Sequence, residues 1–183
     1  MVFPKGYGEF AARWRVAFGF AVAALFLYLA RPTCVSLIAG LAIGCAGMAL
    51  RAWAAGHLAK YESLAISGPF AYTRNPLYLG TLLVGVGFAV AGAHIGIGIV
   101  LVAFFVLFYL PVIEEEESYL VEKFPGYREY RERVPRLWPS LRPRYQSAGP
   151  FQPGLYTRNR EYQALVGFLL GMAILAAKSV YLP

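Results

Sequence analysis

Five apolar stretches set the limits on what this chain can become: roughly Trp14–Ala30, Thr33–Leu50, Leu77–Gly92, Ile95–Ile113 and Tyr162–Tyr181. Each is close to the ~20 residues a helix needs to cross a bilayer. Hydrocarbon offers no water to backbone N–H and C=O groups, so such a segment crosses as a helix, which satisfies them internally. Composition agrees. The chain is 58% hydrophobic and 15% charged, against ~25% charged in a typical soluble domain. The expected fold is an all-α polytopic membrane bundle, one domain over residues 1–183, with about five spans.

Orientation follows from Lys and Arg, which concentrate on the cytoplasmic side. With the N-terminus inside, only Arg31 and Lys178 of the 17 Lys and Arg residues fall outside. All ten acidic residues, every one a glutamate, fall inside. The predicted topology is N-in and C-out. The net charge of +7 is then a topology signal, and no nucleic-acid partner is read from it. Cys34 and Cys45 lie on one apolar helix, about 16 Å apart at 1.5 Å per residue, too far for a disulfide. His57 and His94 are isolated, so no metal-ligand spacing exists.

Polar chemistry is confined to two cytoplasmic segments, 51–76 and 114–161. The second opens with Glu114, Glu115, Glu116 and Glu117 at the end of an apolar span. At 100° per residue they cannot all face water, and an inward carboxylate needs a partner such as Arg51 or Arg74. Helical spacing continues through Glu114–Phe124. After Pro125-Gly126, a short amphipathic helix over Tyr127–Val134 puts Tyr127, Tyr130 and Val134 on one face, and Pro135 ends it. Tyr-Thr-Arg-Asn occurs twice, at 72–75 and 156–159, each time before an apolar helix. Asn75 before Pro76 reads as a helix cap, and Asn159 reads the same way. Both copies work as entry ramps into a membrane helix, and any ligand function belongs to one copy only.

"SGPFAYTRNPLYLG", followed by "EEEESYLVEKFPGYREYRERVPRLWP", resembles the integral-membrane methyltransferases, the isoprenylcysteine carboxyl methyltransferases and their phospholipid N-methyltransferase relatives. The resemblance covers about Ser63–Pro139. It implies S-adenosylmethionine as cofactor, bound without a Rossmann fold, and a lipid or prenylated small-molecule acceptor drawn from the membrane. Carried over by position, the cofactor residues it implies are Leu64, Ala65, Phe70, Asn75, Pro76, Leu77, Tyr78 and Glu116. Gly85-Val86-Gly87 resembles a short Gly-x-Gly of the phospholipid enzymes. The candidate catalytic residues are Glu116, Glu117 and Arg74: a carboxylate to take a proton from an amine acceptor, and a guanidinium to hold an acidic one. The prenylcysteine enzymes carry an arginine shortly before the glutamates, and here that position is Val112. A carboxylate acceptor would then rest on Arg51, Arg74 or Arg144. Two other readings stand beside this one: a non-enzymatic membrane scaffold, and a nicotinamide-dependent membrane reductase.

Overall fold

The computed structural model describes residues 3–4, 6–60, 62–145 and 149–181. Among them the architecture is all helical: α1 (Tyr7–Leu29), α2 (Cys34–Ala55), α3 (Pro76–Ala91), α4 (Ile95–Phe104), α5 (Leu110–Lys123), α6 (Tyr127–Arg133), α7 (Pro153–Arg158) and α8 (Glu161–Tyr181). A 3₁₀ turn at Gly68–Ala71 precedes α3, and a π-helical turn at Phe105–Tyr109 joins α4 to α5. Four helices are long and apolar enough to cross a membrane: α1, α2, the continuous Ile95–Lys123 rod and α8. The chain is a membrane protein.

The expected third span differs from the rest. α3 has 16 residues, about 24 Å at 1.5 Å per residue, against a hydrocarbon core of about 30 Å. The chain before it runs as a loop whose Phe70, Ala71 and Thr73 are buried and whose Leu64, Ala65 and Phe70 line a cavity, the settings in which a membrane protein tolerates irregular backbone. The rod opposite overshoots, with 29 residues, or about 43 Å. It carries Pro111 in its first turn beyond the π segment. Proline donates no backbone hydrogen bond and crowds the carbonyl four residues back, and a π turn is one way a helix absorbs that insult.

α2 and α3 interlock through small residues. A Cβ on Gly87 would stand 2.7 Å from the Gly40 carbonyl, and one on Gly47 would stand 2.7 Å from the Gly80 carbonyl. Glycine alone allows that backbone approach, the packing expected between membrane helices. Gly87 therefore serves helix contact, while Gly85 meets nothing within 4 Å. A core of Phe26, Met48, Ala91, Ile97, Phe168, Met172 and Leu175 closes one end of the bundle. There the Lys178 ammonium donates to the Leu27 and Tyr28 carbonyls at 2.6 and 3.0 Å, satisfying the end of α1. Cys34 and Cys45 are free and exposed.

The short amphipathic helix is present but ends at Arg133, with Val134 in extended conformation as its C-cap. Its inward face is as expected: Tyr127, Tyr130 and Val134 are buried together against Leu64, Ile66 and Leu120.

Candidate active site

The two polar segments, 51–76 and 114–161, are sewn to each other. The Thr73 hydroxyl donates to the Leu137 carbonyl at 2.9 Å, and the Arg74 amide donates to the Pro135 carbonyl at 2.9 Å. Ser140 N–H reaches the Tyr72 carbonyl at 3.0 Å, and Arg144 N–H reaches that of Ala71 at 2.8 Å. The Tyr130 hydroxyl donates to the Phe70 carbonyl at 2.7 Å. Burial pushes the Tyr127 and Tyr130 phenols well up from the usual tyrosine value, so Tyr130 keeps the proton it donates.

Beneath this seam a buried polar knot holds the start of α3. The Asn75 amide donates to Glu117 Oε1 at 3.1 Å and to the Arg136 carbonyl at 2.9 Å. Arg136 Nε donates to Glu117 Oε2 at 3.0 Å, and Arg74 Nη2 lies 3.4 Å from Glu117 Oε1. Glu117 is 3% exposed. Two arginines and an amide thus share one carboxylate, the condition under which a buried charge is tolerated. Arg74 keeps two further buried donors, Nε and Nη1, with no partner in the protein.

Asn75 was expected as a cap. It occupies the N-cap position of α3, but its side chain makes no cap bond; its amide N–H groups instead donate to Glu117 and the Arg136 carbonyl. Asn159 does not cap its following helix either. It donates to the Ala55 and Leu58 carbonyls at 3.1 and 2.9 Å, closing the C-terminus of α2. The two Tyr-Thr-Arg-Asn copies also differ in backbone: residues 156–158 are helical in α7, and residues 72–75 are not helical. Each asparagine ties its entry loop to a distant element.

A cavity of about 1160 Å³ opens below the knot, between the inner ends of α1, α2, α3, α5 and α8. Leu64, Ala65, Phe70, Asn75, Pro76, Leu77, Tyr78 and Glu116 all stand in its wall, as do Arg74 and Val112. Of the expected catalytic residues, Glu117 alone is absent from the wall, facing the knot behind it. Glu116, one residue on and about 100° around the helix, faces the Tyr78 phenol. Arg144 does not line the cavity either, since its segment lies on the outer side of the Tyr72 loop. Arg51 does, but its partner is not in the glutamate cluster. Arg51 Nε and Nη2 grip Glu161 of α8 at 3.0 and 2.9 Å, and Nη1 reaches the Thr81 hydroxyl.

The sequence reading missed Glu161 and the α1 contribution of Glu9, Ala12 and Arg15. Their spacing of three puts them on one helical face, a signal masked by reading Arg13 and Arg15 together as topology charges. An apolar groove of about 600 Å³ between α3 and α4 adjoins the cavity and shares Thr81, Val84, Phe88 and Tyr109 with it. The π turn sets the junction: Tyr109 stacks on Phe105, ring centroids 5.4 Å apart, and meets Tyr78 edge-on at 5.9 Å.

A model of the phospholipid methyltransferase family matches residues 14–126, well over half of the chain and most of the cavity wall. The chain belongs to that family. It is similar to the cobalt-zinc-cadmium resistance protein CzcN of Cupriavidus metallidurans, 34% identical over 70% of this chain and 62% of that protein. It is also similar to the nickel-cobalt-cadmium resistance protein NccN of Alcaligenes xylosoxydans xylosoxydans, 31% identical over 50% of this chain and 44% of that one. The chain thus spans less than two thirds of the length of these relatives. No solved structure matches it. Among the described residues no three His, Cys, Asp or Glu side chains stand close enough together to hold a metal ion.

Proposed function

We propose that the protein transfers a methyl group from S-adenosylmethionine to a lipid-soluble acceptor at the cytoplasmic face of the membrane. The observation that carries this is the cavity itself, where the Asn75–Tyr78 turn, the 64–70 loop and Glu116 converge from segments far apart in sequence. Its volume of about 1160 Å³ exceeds the roughly 300–1,000 Å³ of a site for one small molecule, which leaves room for a cofactor and an acceptor headgroup together. The residues fit the cofactor's chemistry. Glu116 presents a carboxylate to an ammonium or to ribose hydroxyls, and Phe70, Leu64 and Phe168 supply apolar wall for a base.

The bound cofactor supplies a methyl group already activated on a cationic sulfur. The chain must then align the acceptor and exclude water. The Arg51–Glu161 pair braces α2, α3 and α8 around the cavity floor. Glu117 positions Asn75 and Arg74 and reacts with nothing. Glu116 can take the proton that an amine acceptor loses; a carboxylate acceptor has none to lose, and the geometry leaves both chemistries open. The relatives' names speak of metal resistance, and nothing among the described residues gives that reading a metal site.

Calorimetric titration of the purified chain in detergent with S-adenosylhomocysteine tests the proposal. Saturable one-site binding is expected. Heat from a reduced nicotinamide cofactor instead would install the reductase reading, and heat from neither would leave a scaffold.

The same proposal requires the cavity to face the cytoplasm. The charge bias supports it: every Lys and Arg except Arg31 and Lys178 falls on one side of the predicted topology, and Arg15, Arg51, Lys60 and Arg74 line the cavity. A reporter fused after Pro183 is expected to read external, and one inserted after Pro139 to read cytoplasmic. The reverse pattern would place the cavity on the wrong side of the membrane for an intracellular cofactor.

A further inference from the structure

Arg15 lies on α1, eight residues inside its start and flanked by the bilayer-facing row Phe10, Trp14 and Phe18. Its neighbours Arg13 and Val16 are exposed, whereas Arg15 is partly buried and stands in the cavity wall. An arginine within a spanning segment is costly and normally finds a partner. The other cavity arginines have theirs: Arg51 has Glu161, and Arg74 has Glu117. Arg15 has no carboxylate within ion-pair distance among the described residues. Its contact is the Tyr78 phenol, which Glu116 also faces. Glu9 is six residues back along the helix, and Glu115 packs against Gly8 nearer the helix start.

The apolar groove leads to this point. Between Thr81 and Val90 it follows α3 for nine residues, about 14 Å at 1.5 Å per residue, away from the cavity. Its inner end is Tyr109, whose ring meets Tyr78. A lipid of the inner leaflet, tail in the groove, would bring its headgroup past Tyr109 to Tyr78. Arg15 is the cation there, without a direct carboxylate partner among the described residues and sharing the Tyr78 phenol with Glu116. The groups of the proposed cofactor side, Leu64, Ala65, Phe70 and Arg74, come from the segment before α3, at the other side of Tyr78 from the groove.

We propose that Arg15 docks the anionic headgroup, a carboxylate or phosphate, of the membrane lipid that accepts the methyl group. The word "accepts" rests on the methyltransferase reading above; the lipid subsite does not.

The test uses the full chain in phosphatidylcholine nanodiscs, titrated with oleate, with 1-oleoyl-lysophosphatidate and with neutral methyl oleate. At least one anion is expected to bind at least ten-fold more tightly than the ester. Arg15→Gln should lower that anion's affinity about ten- to a hundred-fold and leave methyl oleate, S-adenosylhomocysteine affinity and melting temperature unchanged. If Arg15→Gln is not recovered folded, Arg15→Lys carries the test, with a few-fold loss expected because an ammonium lacks the guanidinium fork. Equal anion affinity in wild type and variant would overturn the proposal and leave Arg15 a snorkelling charge. So would a loss of S-adenosylhomocysteine affinity without loss of 5′-methylthioadenosine affinity, since Arg15 would then serve the cofactor's carboxylate. Arg15-dependent anion binding in a wild-type protein that takes no S-adenosylhomocysteine would uphold the subsite and sink the methyltransferase reading.

Discussion

Glu117→Ala is expected to destabilise the protein more than any other single change near the cavity. The carboxylate is 3% exposed and accepts from Asn75 and Arg136 while pairing with Arg74. Removing one partner of a buried ion pair costs about 3–5 kcal/mol, because the charge left behind is uncompensated. The Arg136 side chain is 36% exposed and can turn to water, but that of Arg74 is 9% exposed and cannot, so the lower end of the range applies. At about 2–4 °C per kcal/mol for a chain of this length, the melting temperature in detergent should fall by about 6 °C or more. The double variant Glu117→Leu with Arg74→Leu should recover part of that loss, since a buried pair can be exchanged for apolar packing at little cost. A Glu117→Ala protein that melts within about 2 °C of wild type would show that the knot does not hold the start of α3.

That knot also shows where the sequence stopped being informative. Span positions were legible because bilayer thickness fixes the length of an apolar helix: α3 and α8 lie within one residue of expectation at both ends, while α1 starts seven residues earlier and α2 runs five residues further. What holds the start of α3 was not. Its apolar run looks like the others, and its first turn is tied by the Asn75 amide donating to Glu117 and the Arg136 carbonyl, 42 and 61 residues away. A cap position is a local property, so the sequence placed caps at Asn75 and Asn159. Both side chains instead bond acceptors from other elements, which no local rule reveals. The inward tyrosines of α6 were legible because a helical face depends on spacing alone. Arg15 was misread for the opposite reason: charge counting treats every inside arginine alike and discards which way each one points. The cavity residues gathered from 64–78 and 116 were suggested by resemblance, and the structure brings them into one wall; what they bind rests on the proposal.

The adjacent glutamates give the second expected result. Glu116→Gln should leave stability nearly unchanged and weaken S-adenosylhomocysteine binding about ten- to a hundred-fold, the effect of losing a hydrogen bond to a charged group. Residues one apart on a helix point about 100° from each other, so α5 can aim Glu117 into the knot and Glu116 into the cavity with no change of backbone. Glu116 is only partly buried and has no arginine within ion-pair distance among the described residues; its neighbour in the wall is the Tyr78 phenol. Its negative charge is therefore uncommitted and open to a cationic ligand, whereas that of Glu117 is spent on Arg74 and Arg136. Glutamine keeps the shape and removes the charge, so a folded Glu116→Gln protein isolates the electrostatic part. Calorimetry and melting temperature, measured on Glu116→Gln and Glu117→Gln side by side, separate the two roles. The first variant should change affinity and the second chiefly stability. Unchanged affinity in Glu116→Gln would remove this residue from the cofactor site. Lost affinity at constant melting temperature in Glu117→Gln would move the role one position along the helix, and the knot would then have to open for the ligand to enter.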